Sequence, residues 1–161
     1  MKHKSQDHGV DMGSIRDKIL HFACDAHDFE LEQDDFDEQR GWKATFGVKF
    51  KNNPRKEQLF ASAILGEQHA RFWLELSCAR ESWTTDHDRI LRRASDFDVA
   101  ICPLDEAQDS DELRLQLLSR AWVPGFGQRI FGLTLSNLMA CKAAVRAITE
   151  GSPNSIADHR R

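Results

Sequence analysis

The fold is decided by residues 42–50, which read WKATFGVKF. Apolar side chains stand at every second position from Trp42 to Phe50, and polar or small residues fill the positions between them. Successive side chains of a β-strand point to opposite faces, so this alternation predicts a strand with one buried and one solvated face. A single solvated face is typical of antiparallel sheets, and the sequence therefore predicts an antiparallel sheet.

Further strand-like segments lie on both sides of this stretch. A short strand is expected at 29–32, and the acidic residues 34–38 are interpreted as a solvated turn rather than a calcium loop, because the glycine stands one residue too late. Pro103 follows the segment 99–102 and is expected at a sheet edge or at a strand end, since proline cannot donate to a ladder. The remaining predicted strands cover 59–65, 71–78, 99–102 and 113–117, and a continuation of the last one to Trp122 is left open.

Helical periodicity appears in three places. A helix is predicted from Ser14 to near His27, a short one is capped by Asp86, and the longest one follows the break at 124–127 and stops by Gly151. The first helix has its apolar residues at helical spacing, namely Ile15, Ile19, Phe22 and Ala26. The fold class is therefore α+β, an antiparallel meander sheet flanked by an N-terminal helix, a short middle helix and a long C-terminal helix.

The length of 161 residues suits one domain. Residues 1–13 are polar and are expected to form a disordered N-terminal arm. Residues 14–150 are expected to form a single α+β domain, and residues 151–161 a polar tail.

Charge and composition exclude several classes of partner. The formal net charge of -4, from 22 basic and 26 acidic residues, argues against nucleic-acid binding and against an anionic membrane surface. No signal-peptide core and no membrane-spanning stretch is visible, so a cytoplasmic location is expected. Four scattered cysteines fit reduced thiols in that compartment, namely Cys24, Cys78, Cys102 and Cys141.

A search for catalytic motifs yields no complete set. Gly125-Phe126-Gly127 precedes a helix, but no lysine followed by serine or threonine comes after it, and the sequence holds no G-x-S-x-G and no H-x-x-x-H. We therefore expect no catalytic residues, no metal site and no cofactor, and we predict that the chain is not an enzyme.

Several large apolar residues fall where a solvated position is expected. Phe60 and Ile64 alternate against Leu59, Ala61 and Ala63, and Trp73 lies opposite the apolar face of its strand. If both sheet faces are covered, these residues are core; if one face is open, they form an apolar surface of the kind used in protein recognition. We predict that Phe60, Ile64 and Trp73 contribute contact surface and that Trp122 and Phe126 lie near a dimer or partner contact.

The C-terminal half carries a family resemblance. The strand Leu113-Arg114-Leu115-Gln116-Leu117 runs into Ala121-Trp122-Val123-Pro124, and a long helix follows with Phe131, Leu135, Leu138, Val145 and Ile148 on its apolar face. With the N-terminal helix and the meander, this pattern resembles the type III secretion chaperone-like superfamily over residues 14–150. Two departures, an extra strand before the middle helix and a milder net charge, favour a YbjN-like relative over a dedicated effector chaperone.

The resemblance implies a cytosolic homodimer without enzyme activity, which holds an extended partner segment against apolar patches. Our first hypothesis is therefore a non-enzymatic, chaperone-like protein-binding module, with strand addition at an open sheet edge as a further mode of contact. Two alternatives remain open. One is a small-molecule-binding protein or small enzyme with a pocket between sheet and helix, and the other is an immunity or antitoxin-like inhibitor.

Overall fold

A computed structural model describes residues 12–50, 53–104 and 110–151 of the chain. Its strands form one antiparallel sheet in the order β1-β2-β3-β4-β6-β5, so that β1 and β5 are the edges. Pro103 lies in β5, so the edge is the one of its two expected places that the structure shows. The strands are β1 (Glu30–Asp37), β2 (Gly41–Phe50), β3 (Asn53–Ile64), β4 (His69–Ala79), β5 (Ala100–Leu104) and β6 (Glu112–Trp122).

The helices lie at the predicted places along the chain. They are α1 (Met12–Leu20), which continues as a π-helical segment (His21–Ala26), α2 (Arg80–Ser95) and α3 (Gln128–Thr149). The predicted α+β class, an antiparallel sheet with N-terminal, middle and C-terminal helices, is confirmed. The middle helix is longer than expected, with 16 residues.

The chain divides into two compact units. Unit 1 comprises Met1–Arg71 and Ala121–Phe131, and unit 2 comprises Phe72–Arg120 and Gly132–Arg161. Met12 and Gly13 of the predicted arm belong to α1, while the rest of the arm and residues 152–161 of the predicted tail lie outside the described residues. The predicted single domain stays a prediction.

In unit 1, the alternation of β2 is realised as predicted. Trp42, Ala44, Phe46 and Val48 are buried, and the register with β3 sets them beside the buried Leu59, Ala61 and Ala63. We call this side of β2 and β3, together with the side of β1 that is continuous with it, the inner face and the opposite side the outer face. Burial of these side chains supplies the main stabilisation of the unit.

The helix α1 lies on the inner face of unit 1. Ile15 and Ile19 are buried as predicted, but Ala23 is buried in place of the predicted Ala26, and Phe22 is half-buried. The π-helical segment holds more residues per turn than an α-helix, which changes the spacing of the apolar stripe after Leu20.

The predicted acidic turn at 34–38 is wrong in its extent. Strand β1 continues to Asp37, and the turn is confined to residues 38–40. Aspartate has a low strand propensity, which is why the sequence favoured a turn. Pairing with the whole first half of β2, from Asp37 opposite Gly41 to Leu31 opposite Phe46, overrides that local preference.

Unit 2 has its own alternating strands and helices. Phe72, Leu74 and Leu76 of β4 are buried, as are Leu113, Leu115 and Leu117 of β6, and Leu138, Cys141 and Val145 of α3. Helix α2 begins at Arg80 rather than at Asp86. The Ser82 hydroxyl donates to the carbonyl oxygen of Thr149 (3.3 Å), a contact 67 residues distant that local periodicity does not encode.

Candidate protein-binding site

Phe60 and Ile64 lie on the outer face of β3 in unit 1. Phe60 is opposite Thr45 and Ile64 is opposite Gly41, whereas their neighbours along the strand turn toward the inner face. Both side chains are half-buried, and Ser62, which lies between them on the same face, is buried. The outer face therefore presents part of an aromatic ring and part of a branched aliphatic chain to solvent.

Trp122 is the last residue of β6 and belongs to unit 1. Its side chain is 52% exposed, although the preceding residue, Ala121, is buried. The ring of His69 meets the indole edge-on with centroids 4.6 Å apart, and the Val123 N–H donates to the carbonyl oxygen of Gln68 at 2.8 Å. These contacts hold the strand end in place while the indole stays accessible.

Phe126 follows Trp122 in the loop before α3, but it is only 5% exposed. Its ring packs against Phe22 (5.8 Å between centroids) and Phe131 (6.4 Å) in an aromatic cluster of unit 1. Aromatic pairs at these separations stabilise a core beyond their buried area. Phe126 thus presents little surface to a partner, and its place near a partner contact stays a prediction.

Trp73 belongs to unit 2, on the side of β4 opposite the buried Phe72 and Leu74. It is half-buried, and on the same side of the strand Glu75 forms an ion pair with Arg114 (3.5 Å). The predicted contact residues are therefore divided between the two units, with Trp73 in unit 2 and the others in unit 1.

The edge strand β1 carries exposed apolar residues that the sequence did not single out. Leu31 is 40% exposed and Phe36 is 44% exposed, and both share the inner face with their buried partners Phe46 and Trp42. The signal in the sequence was Phe36 itself, an aromatic residue inside an acidic run. Because the acidic residues around Phe36 have a low strand propensity, the sequence did not predict a strand at this position.

Between these two residues, Asp34 joins β1 to α1. Its carboxylate accepts hydrogen bonds from both Nε (3.2 Å) and a terminal guanidinium nitrogen of Arg16, and from the indole Nε1 of Trp42 (2.7 Å). The hydrogen bond from Arg16 lowers the pKa of Asp34, which is the main effect on that carboxyl. Asp34 is thus a structural acid rather than a proton donor near neutral pH.

Three of the four cysteines have thiols that burial makes less acidic. Burial raises the pKa of the Cys24 and Cys78 thiols and raises that of Cys141 to about 11. A raised pKa lowers the thiolate fraction and with it the nucleophilicity. In the part of the chain that the structure describes, no cluster of three or more His, Cys, Asp or Glu side chains is placed to hold a metal ion.

None of the helices in the described ranges is both long and apolar enough to cross a membrane. The separate prediction that the chain does not bind anionic membrane surfaces stays a prediction.

Comparisons with known proteins show the fold but no family. No protein-family model matches the chain, and no curated protein matches it. Among solved structures, the chain is similar to an uncharacterized protein from Methanothermobacter thermautotrophicus, with a TM-score of 0.62 and 14% sequence identity over 87% of this chain and 97% of the other. At this identity the likeness concerns the fold alone.

Proposed function

We propose that the chain is a non-enzymatic, chaperone-like protein-binding module that acts as a homodimer and grips apolar segments of a partner polypeptide. The observation that carries the proposal is the exposed indole of Trp122 at the end of β6. Tryptophan is enriched among the residues that dominate protein–protein affinity, because it offers a large rigid apolar area and a hydrogen-bond donor.

Two further residues of unit 1 support this surface. Phe60 and Ile64 are half-buried on the outer face of β3, four residues apart on the same side of the strand. Covering their exposed parts would contribute about 25 cal/mol for each Å² of apolar area removed from water. A partner segment with apolar side chains would gain this energy, whereas a purely polar one would not.

The family and the location are part of the same proposal. The order of elements, with a helix before the meander, a middle helix, two strands and a long final helix, supports membership in the type III secretion chaperone-like superfamily as a YbjN-like protein. The fourth strand before α2 is the departure that the sequence already indicated. All four cysteines are free thiols, which fits a reducing compartment such as the cytoplasm.

The proposal is tested by sedimentation and by capture of polypeptides on immobilised protein. The variant Trp122→Ser is expected to weaken dimerisation or capture, and the control Leu91→Ser, which removes an exposed apolar side chain from α2, is expected to behave as the wild type. A monomeric wild type whose capture of polypeptides is unchanged by Trp122→Ser would contradict the proposal.

One observation favours small-molecule binding as a second candidate function. A groove of about 560 Å³ in unit 1 lies at the turn between β1 and β2, and its lining includes Asp35, Asp37, Arg40, Lys43 and the apolar Ile64. Charged groups of both signs beside apolar side chains suit a small polar ligand. Thermal-shift screening against metabolites tests this candidate, because a ligand that binds the folded state raises the melting temperature.

A further inference from the structure

A basic groove lies between α2 and α3 in unit 2. Helix α2 contributes Arg89, Arg92 and Arg93 to its lining, and α3 contributes Ala144, Ala147 and Ile148. Residues three and four positions apart share one face of a helix, so each of these two sets forms a continuous wall. The groove has a volume of about 360 Å³. This volume is within the range of about 300–1,000 Å³ that is common for small-molecule sites.

Two of the three arginines are available to a ligand. Arg93 donates to the Asp96 carboxylate at 3.0 Å, and its guanidinium lies 5.0 Å from the centre of the Phe97 ring, so Arg93 and Asp96 already match each other in charge. Arg89 and Arg92 are exposed, and among the described residues neither of their side chains has an ion pair or a hydrogen bond. Because residues three positions apart are neighbours on a helix, a single anion can contact both guanidinium groups.

The wall that α3 provides is apolar. Ala147 is exposed, Ala144 is half-buried and Ile148 is buried. The two alanines leave room that larger side chains would fill. Covering such a wall with an apolar ligand group contributes about 25 cal/mol for each Å² of apolar area removed from water. The groove therefore offers positive charge on one wall and apolar surface on the other.

We propose that this groove binds a small amphiphilic anion, with a carboxylate or phosphate head and a short apolar chain. The head would accept hydrogen bonds from Arg89 and Arg92, and the chain would lie against Ala144 and Ala147. A guanidinium group binds carboxylate and phosphate oxygens in the same two-pronged geometry, so both heads fit the arginine wall. The inference goes beyond the proposed protein-binding function, because the groove belongs to unit 2 and does not include Trp122.

The test is a titration of the full chain, labelled in its alanine methyl groups, and it is followed by NMR. The ligands are octanoate, octyl phosphate and the uncharged octanol. At least one of the two anions is expected to shift the Ala144 and Ala147 signals to saturation, and octanol is expected to bind at least about tenfold more weakly. Whichever anion binds more tightly identifies the head group.

Two variants separate the contributions of charge and apolar surface. Arg89→Gln/Arg92→Gln is expected to raise the Kd of the anion about tenfold. Ala147→Leu keeps both arginines but fills the groove, and it is expected to weaken binding as well. The signal of Ala94, which is buried on α2, reports that each variant is folded. The matched control Lys18→Gln/Arg129→Gln removes two positive charges from exposed residues outside the groove and should bind as the wild type does.

Three results would overturn the inference. Neither anion shifts the groove methyl signals of the wild type, or octanol binds as tightly as the anions, or the control variant loses as much affinity as Arg89→Gln/Arg92→Gln. The last result would show a general attraction of anions to positive charge rather than a site. The Trp122→Ser experiment decides the proposed function separately, because that residue lies in unit 1.

Discussion

The indole Nε1 of Trp42 donates a 2.7 Å hydrogen bond to Asp34 on the neighbouring strand. Trp42 is fully buried on the inner face, and Asp34 points to the same face from the edge strand. The same carboxylate also binds Arg16 of α1, so one acid links the helix, the edge strand and the strand beside it. This link explains how an acid-rich segment is held in a sheet.

Removing the charge of Asp34 should destabilise the protein. Asp34→Asn removes the negative charge that pairs with the Arg16 guanidinium, and it puts an amide where the donors of Arg16 and Trp42 converge. The free energy of unfolding is therefore expected to fall by about 1–2 kcal/mol, a range that allows for the partial solvent exposure of the pair. Denaturant unfolding at neutral pH measures the change. Asp35→Asn, on the exposed outer face, is the control and should cost less than about 0.5 kcal/mol. Equal losses would refute the role of Asp34.

The contribution of Asp34 should depend on pH. Because the folded state lowers the pKa of this carboxyl, its stabilisation is fully present above the unfolded-state pKa of about 3.9 and is lost as the pH falls through the lower folded-state value. The stability difference between wild type and Asp34→Asn should therefore shrink as the pH falls below about 4. A difference that stays constant down to the acid-unfolding limit would speak against this linkage.

Gly41 should be intolerant of any side chain. Its φ is +127°, and a Cβ at this position would come within 2.3 Å of the carbonyl oxygen of Ala63. Gly41→Ala is expected to lower the free energy of unfolding by about 3 kcal/mol. Gly66 also has a positive φ (+84°) but open space around it, so Gly66→Ala should cost only about 1 kcal/mol. Similar melting temperatures for the two variants would contradict this account.

The cysteines should differ in their reactivity toward iodoacetamide. Cys102 is exposed on β5, whereas Cys141 is fully buried and its pKa is raised to about 11. We expect native protein to be alkylated at Cys102 well before Cys141, and Cys141 to react only after unfolding. Mass spectrometry of peptides from a time course measures the order. Early modification of Cys141 in folded protein would show that the core of unit 2 opens readily.

Much of the fold could be predicted because the relevant information is local. The alternation from Trp42 to Val48 and from Phe72 to Leu76 predicts which side of each strand is apolar. The apolar residues on that side are buried in the structure. The same logic located α3, whose stripe through Leu138 and Val145 is buried. Each of these patterns can be recognised from residues that lie close together in the sequence.

The candidate site was predictable only in part. Alternation placed Phe60 and Ile64 opposite the buried residues of β3, as the structure shows. Whether a side chain on that face is exposed depends on what packs over it, so the sequence could not separate the accessible Trp122 from the buried Phe126. The aromatic cluster around Phe126 joins residues more than a hundred positions apart, such as Phe22.

The sequence by itself determined the periodicities, and through them the α+β class, the antiparallel sheet and the inward side of each strand. Only the tertiary structure decided that the acid-rich segment 30–37 forms an edge strand, that α2 begins at Arg80, and that Asp34 faces inward to meet Arg16 and Trp42. The physical reason is the range of the interactions. Side-chain alternation can be recognised from adjacent residues. Strand pairing and long-range hydrogen bonds override weak local propensities, and they form between segments that meet only when the chain has folded.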